Sequence, residues 1–130
     1  MSEPRVEIEL EGTPRGYRPG ELLRGQFLVE APNWTAAEVS VLWYTEGKGD
    51  EDMGVHYFER IDREESDLER DDEPQPFMAL LPASPLSYRG AILSIRWCVR
   101  VRVFLERDRE VVGELPFMLG SVPSGRLVSP

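Results

Sequence analysis

Apolar and polar residues alternate strictly over one long segment in the second half of the chain. From Leu93 to Leu105 every second residue is apolar, and three arginines lie among the residues between them. Successive side chains of a strand point to opposite faces, so the spacing predicts a long strand with an apolar ribbon on one face. We expect the ribbon to line the interior between two sheets. Its residues are Leu93, Ile95, Trp97, Val99, Val101, Val103 and Leu105, and the arginines are Arg96, Arg100 and Arg102.

Shorter segments with apolar alternation or short apolar runs predict further strands. In one of them, Glu38–Thr45, both faces are apolar, which predicts a central strand that is covered on each side. Gly25 marks a bulge or a close backbone approach, and Pro116 implies an edge strand or a bulge. The charged stretch 61–73 lacks an apolar face and is predicted to be a solvated loop or hairpin tip. The other predicted strands are Val6–Leu10, Leu22–Glu30, Val55–Arg60, Pro76–Leu81 and Val111–Leu119.

About seven or eight strands separated by proline and glycine turns, with no convincing helix, predict an all-β fold. The expected architecture is an immunoglobulin-like antiparallel β-sandwich. A length of 130 residues fits one domain spanning 1–130, with a loosely patterned tail at 120–130 that we expect to be frayed.

Two blocks of the sequence resemble the N-terminal domain of the arrestin family. Residues 17–27 (YRPGELLRGQF), followed by 39–44 (VSVLWY), are similar to an early Y-x-P-G-E signature, and 81–99 (LPASPLSYRGAILSIRWCV) resembles a later stretch. The resemblance covers roughly residues 17 to 105. It implies a β-sandwich of the arrestin N-domain type that serves as an adaptor or scaffold for protein partners, without a cofactor.

The chain departs from that family in holding one sandwich where arrestins have two in tandem. A function that needs a cleft between two domains is therefore in doubt. Either the lone domain suffices, or two chains pair as a homodimer to replace the missing half. No position is matched to a phosphate-sensing residue of the receptor-binding arrestins.

Composition narrows the function classes further. The net charge of −9 argues against a nucleic-acid partner, because lysine and arginine supply most of the affinity for phosphates. No apolar stretch is long enough for a membrane span, and the N-terminus lacks the apolar run of a signal peptide. The single cysteine, Cys98, fits a reducing compartment. We therefore expect a cytoplasmic protein.

Few residues have the chemistry of a catalytic or metal site, so we expect no enzyme, no metal and no cofactor. His56 is the only histidine, and nothing in its local sequence offers a nucleophile. The acidic cluster 50–52 does not have the spacing of a calcium loop and is interpreted as a hairpin tip. Ser84 and Ser87 are interpreted as turn formers. Cys98 shares a face with the arginines, whose charge would lower a thiol pKa, but a quiet, partly covered thiol is favoured.

Binding to another protein remains the leading hypothesis. Arg96, Arg100 and Arg102 are candidates for docking an acidic or phosphorylated peptide, and the competing interpretation pairs them with the protein's own carboxylates. A partner segment added to an open sheet edge is the preferred mechanism, with Val6–Leu10 or Val111–Leu119 as the expected acceptor. The alternative function is a module for small ligands or carbohydrates, with Trp34, Tyr44 and Tyr57 as exposed stacking platforms.

Overall fold

Two antiparallel sheets pack face to face in the structure, a computed structural model that describes residues 3–12, 16–49, 51–64 and 73–120. The predicted antiparallel sandwich of about seven or eight strands is confirmed. The strands are β1 (Arg5–Leu10), β2 (Leu22–Glu30), β3 (Ala36–Gly47), β4 (Met53–Asp62), β5 (Gln75–Leu80), β6 (Tyr88–Arg89), β7 (Leu93–Phe104) and β8 (Glu110–Phe117).

The smaller sheet has the order β1-β2-β5, and the larger sheet has the order β4-β3-β7. On the far side of β7, β6 pairs with Ser94 and Ile95, and β8 pairs with residues 97–104. The larger sheet is therefore four strands wide, because β6 and β8 follow one another along the same side of β7. A three-residue 3₁₀ turn, Glu106–Asp108, joins β7 to β8.

The long apolar ribbon faces the interior as predicted. Val99, Val101 and Val103 are completely buried, and Trp97 is 1% exposed. The first two ribbon residues, Leu93 and Ile95, are only half-buried. They lie at the end of β7 that pairs with the short β6 and not with β8. The other ribbon residue, Leu105, is buried.

The two sequence blocks 17–27 and 81–99 contact each other through their backbones. Arg18 to Glu21 form a turn in which the Glu21 N–H donates to the Arg18 C=O (3.0 Å), with Gly20 at φ +82° as a type II turn requires. The Gly20 N–H donates to the Leu81 C=O (3.0 Å), and the Leu81 N–H donates to the Glu21 C=O (2.9 Å). The proline–glycine turn of the first block thus anchors the start of the second.

The structure shifts several predicted strand ends by one or two residues, and two differences change an assignment. β4 continues through Ile61 and Asp62, which were assigned to a loop, because Ile61 lies opposite Ala37 and packs against the core. The rest of the predicted loop lies in part at 65–72, outside the described residues. The short β6 was not predicted, since two residues carry no periodicity. The expectation of a frayed tail concerns residues that, from 121 onward, also lie outside the described ranges.

The backbone of β2 makes a close approach at Gly25, as its place in the strand predicted. A Cβ at this position would lie 2.5 Å from the Glu9 carbonyl oxygen and 2.8 Å from the Phe77 ring. β1 on one side and β5 on the other prevent β2 from shifting away. Glycine is thus required here by packing, because the contacts leave no room for a methyl group.

We predict that Gly25→Ala lowers the free energy of unfolding by about 1–3 kcal/mol, the usual cost of overpacking a tight site. Gly120→Ala is the matched control, since a Cβ there meets nothing within 4 Å. Urea unfolding followed by tryptophan fluorescence measures both changes. Equal midpoints for the two variants would contradict the close approach.

Candidate functional site

The larger sheet ends at β4 on one side and at β6 and β8 on the other, and the smaller sheet ends at β1 and β5. The sequence predicted β1 and the proline-interrupted last strand as edges, and both lie at edges. An edge strand can accept an added strand only when its outward-facing backbone N–H and C=O groups are free and accessible. The four edges differ in this respect.

β1 and β8 cover each other. Gly113 on β8 lies so close to β1 that a Cβ there would be 3.1 Å from both the Val6 carbonyl oxygen and its Cβ. Beyond the end of β8, the Tyr17 N–H donates to the Met118 C=O (2.8 Å) and the Gly120 N–H donates to the Tyr17 C=O (2.8 Å). The two edges named from the sequence are therefore obstructed by the protein itself.

Pro116 leaves the edge of β8 without one backbone N–H donor. Antiparallel pairing alternates residues that bond the neighbouring strand with residues whose backbone groups point away. The Leu105 N–H donates to the Arg109 C=O (2.8 Å), which assigns the odd-numbered residues of β8 to bonding β7. Pro116 is thus at an outward-facing position, where a proline blocks strand addition without weakening the sheet.

The edge of β5 is obstructed in a similar way. The Leu81 N–H donates to the Glu21 C=O, so the even-numbered residues of β5 point their backbone groups outward. One of them is Pro76, which has no N–H to offer. Another is Leu80, whose carbonyl oxygen accepts a hydrogen bond from His56 Nε2 (2.6 Å). His56 thereby links the two sheets on the side where β4 and β5 face each other.

β4 lacks each of these obstructions among the residues that the structure describes. The Arg63 N–H donates to the Thr35 C=O (3.0 Å), so odd-numbered residues in this stretch bond β3. The backbone groups of Phe58 and Arg60 therefore point away from the sheet. The strand contains no proline over its ten residues. We define the open edge as Met53–Asp62.

A β-bulge interrupts the open edge at His56. The register pairs Tyr57 with Val41 and Val55 with Leu42, which leaves His56 without a partner on β3. A bulge increases local twist and redirects a side chain. Here it allows the His56 ring to reach Leu80 and to lie edge-on to Trp97, with ring centroids 6.2 Å apart.

The outer face of the larger sheet carries an apolar row next to the open edge. Residues directly opposite on neighbouring strands share a face, which places Val55, Leu42, Cys98 and Pro116 in one line across β4, β3, β7 and β8. Leu42 is 1% exposed and Cys98 2% exposed, although both lie on the outer face. The prediction that β3 is central and covered on both faces is confirmed for this segment.

Three apolar side chains of β4 are exposed on the same outer face. Met53, Val55 and Phe58 are 50%, 53% and 54% exposed. Polar or charged side chains usually occupy the outer face of an edge strand, because they discourage unwanted pairing. The apolar side chains at the open edge are therefore a candidate contact surface.

The three predicted site arginines lie together on the outer face of β7, and each pairs with a glutamate. Arg100 Nε lies 2.6 Å from Glu114 Oε2, and Arg102 Nε lies 3.4 Å from Glu110 Oε1. Arg96 pairs with Glu46. The cross-strand pairing that the sequence offered as the competing interpretation is thus present. An acidic partner would have to displace these glutamates, and docking at the arginines remains a prediction.

Glu59 occupies the inner side of the open edge. It lies opposite Val39, is exposed, and accepts a hydrogen bond from the Tyr57 hydroxyl (2.7 Å). Desolvation by burial, followed by the hydrogen bond to Glu59, raises the pKa of Tyr57 to about 12. Among the described residues no cation forms an ion pair with Glu59. Its charge is therefore available to a partner.

The stacking platforms proposed for a carbohydrate do not form one surface. Trp34 was expected to be exposed and is 1% exposed, a correction that follows from its packing in the core, with the Arg63 guanidinium 4.2 Å from its ring centroid. Tyr44 and Tyr57 are half-buried and lie on opposite faces of the larger sheet. A cleft of ≈ 290 Å³ near the end of β8, lined in part by Tyr88, Arg96 and Met118, is the better candidate for a small ligand.

Ser87 and the acidic cluster 50–52 were also considered from the sequence. The Ser87 hydroxyl accepts from the Leu119 N–H (2.8 Å), which agrees with its assignment to a turn. Asp50 lies outside the described residues, and within them no group of three or more histidine, cysteine or acidic side chains is arranged to hold a metal ion. Nor does the described part of the chain contain a helix long and apolar enough to cross a membrane.

Cys98 is buried, and its surroundings raise rather than lower its pKa. Desolvation by burial raises the pKa to about 11, the negative charge of Glu114 adds to the increase, and Arg100 opposes it. The lowering effect of Arg100 on the thiol pKa is offset because its guanidinium is already paired with Glu114. The quiet thiol favoured from the sequence fits this environment.

We predict that Cys98 reacts about a hundredfold more slowly with a thiol reagent near pH 7.5 than a cysteine of ordinary pKa, because its thiolate fraction falls with the two-unit shift. The rate should rise with pH through 9 and 10 without levelling. The urea-unfolded protein is the control. A plateau below pH 9 in the folded protein would contradict the raised pKa.

Comparison with known proteins supports the fold. No family model matches the chain, and no curated protein matches it. Among solved structures it is similar to Spo0M, a sporulation control protein from Bacillus subtilis, with a TM-score of 0.63 and 14% identity over 95% of this chain and 51% of that chain. It is also similar to superoxide reductase (neelaredoxin) from Ignicoccus hospitalis, with a TM-score of 0.54 and 11% identity over 88% of this chain and 80% of that chain.

The chain thus spans about half the length of the Spo0M chain. Structural similarity at sequence identities of 14% and 11% establishes the fold and not the activity. The fold class is an immunoglobulin-like antiparallel β-sandwich.

Proposed function

We propose that this chain is a non-enzymatic adaptor module that binds an extended segment of another protein along the open edge of β4. The segment would add a strand to the larger sheet, with main-chain hydrogen bonds to the outward-facing groups of Phe58 and Arg60. The observation that carries the proposal is the contrast between edges. β5 and β8 have a proline at an outward-facing position and β1 is covered by β8, whereas β4 has neither obstruction among the residues that the structure describes.

The surroundings of β4 support the proposal. Main-chain bonds give affinity in strand addition, whereas pockets and exposed side chains beside the edge give specificity. Phe58 and Val55 offer apolar contact on the outer side, and Glu59 offers a charge on the inner side. The similarity to Spo0M, a sporulation control protein, is compatible with a regulatory role.

The proposal of a non-enzymatic role rests on the chemistry of the side chains. The chain has one histidine, and its Nε2 is engaged by the Leu80 carbonyl. Its one cysteine is buried with a raised pKa. General acid–base and nucleophilic catalysis need such groups to be accessible and suitably ionised.

The arginine stripe is a rival docking surface on the same protein. Arg100→Gln removes the central charge of the stripe without touching the backbone of β4. A partner held by acidic or phosphorylated side chains would be lost from this variant, and a partner held by strand addition would be retained.

We predict that Phe58→Pro weakens partner binding while the protein stays folded. The N–H of residue 58 points away from β3, so proline removes a donor needed by an incoming strand and none used within the sheet. Affinity should fall about tenfold or more, which corresponds to one or two lost hydrogen bonds. Capture from native lysate followed by mass spectrometry identifies proteins that bind the unmodified chain and not the variant.

Phe58→Thr is the matched control, because it removes the aromatic ring and keeps the N–H. The free energies of unfolding of Phe58→Thr and Phe58→Pro should differ by less than about 1 kcal/mol. Such a small difference would show that the strand tolerates the proline. The proposal fails if every captured protein is retained by Phe58→Pro, or if Arg100→Gln alone loses them.

A further inference from the structure

We propose that the segment bound at the open edge is a peptide that alternates apolar and basic side chains. This inference rests on the proposed strand addition and names the chemistry of the partner at that site. A strand presents alternate residues to opposite faces, so an added segment has one set of side chains on the outer face of the sheet and one on the inner face.

The outer side of the open edge selects apolar residues. An added strand would place its outer side chains beside Phe58, Val55 and Met53, all at least half exposed. Charged groups there are already engaged, because Arg60 pairs with both Glu38 (2.9 Å) and Asp62 (3.0 Å) and lies over the Phe104 ring. Burying the apolar side chains of β4 against apolar partner residues would release water and favour binding.

The inner side of the open edge selects a cation. Tyr57 and Ile61 pack against the core, and Glu59 lies between them on the same face. Its carboxylate accepts from the Tyr57 hydroxyl and has no cationic partner among the described residues. An incoming lysine or arginine on the inner face would meet this carboxylate, whereas an acidic residue would be repelled.

The net charge of the chain has the same sign as the charge of Glu59. The chain carries a net charge of −9, and seven of the eleven residues 63–73, which follow β4 in sequence, are aspartate or glutamate, against two arginines. Of the two, Arg63 lies over the Trp34 ring and donates to the Trp34 carbonyl oxygen (3.1 Å). Net negative charge near a binding edge accelerates association with a basic segment, and salt screens the effect.

Three ten-residue peptides test the inference, alternating valine with lysine, valine with glutamate, and serine with lysine. Titration of ¹⁵N-labelled protein follows the amides of Phe58 and Arg60 by NMR. The valine–lysine peptide should shift these amides and bind about tenfold more tightly than either of the others. Its affinity should fall with added salt and should fall about tenfold or more in Phe58→Pro.

Glu59→Gln isolates the proposed charge contact, because glutamine still accepts from the Tyr57 hydroxyl. Affinity for the valine–lysine peptide should fall about two- to fivefold, the range of an exposed ion pair. Glu9→Gln on β1 is the control, with the same change in net charge at the opposite edge of the sandwich. It should leave the affinity nearly unchanged.

The outcomes separate this inference from the proposed function. If the valine–glutamate peptide binds at Phe58 and Arg60 as tightly, the open edge still accepts a strand and the basic class is wrong. If the serine–lysine peptide binds as tightly, or if Phe58→Pro binds the valine–lysine peptide as tightly as the unmodified protein does, the attraction is unspecific and the inference is wrong. If none of the peptides shifts these amides, the inference is also wrong, and lysate capture with Phe58→Pro judges the strand addition independently.

Discussion

The pairing of β3 with β7 is the constraint on which the rest of the structure depends. The two strands pair in antiparallel register along all twelve residues of each, from Ala36 opposite Phe104 to Gly47 opposite Leu93. A shift of one residue would turn the whole ribbon of β7 from the core to solvent. Burial of that ribbon therefore fixes which residues share the outer face, and β4 and β8 take their places beside this pair.

The same register explains why the arginines and the apolar row coexist on one face. Even-numbered residues of β7 point outward, so Arg96, Cys98, Arg100 and Arg102 follow each other along the strand. Glutamates on β3 and β8 neutralise the arginines, and Leu42 and Pro116 extend the row from Cys98. The apolar row reaches the side of the sheet at Val55, where the edge is open.

Much of the architecture could be predicted from the sequence because it depends on period-two patterns and on proline and glycine. The ribbon, the edge position of Pro116 and the close approach at Gly25 are examples. The open edge could not be predicted, because whether an edge is accessible depends on which strands lie beside it in space. Nothing in the alternation of Val6–Leu10 shows that β8 covers it, and nothing near His56 shows that it reaches Leu80.

The charge pairing of the arginines was only partly predictable. The sequence shows an excess of acidic residues, which makes internal pairing plausible, but the partners Glu46, Glu110 and Glu114 follow from strand register. The burial of Trp34 was not predicted. An isolated tryptophan next to a proline-containing turn has no sequence pattern that distinguishes a buried ring from an exposed one, and only the fold places it in the core.

Amide hydrogen exchange along β4 tests the central claim, that this strand is an unobstructed edge, most directly. In the free protein, the amides of Tyr57, Glu59 and Ile61 should be protected by β3, and those of Phe58, Arg60 and Asp62 should exchange fast. Uniform protection would show that something already pairs with the edge, and uniform fast exchange would show that β4 does not pair with β3. Either result would contradict this account.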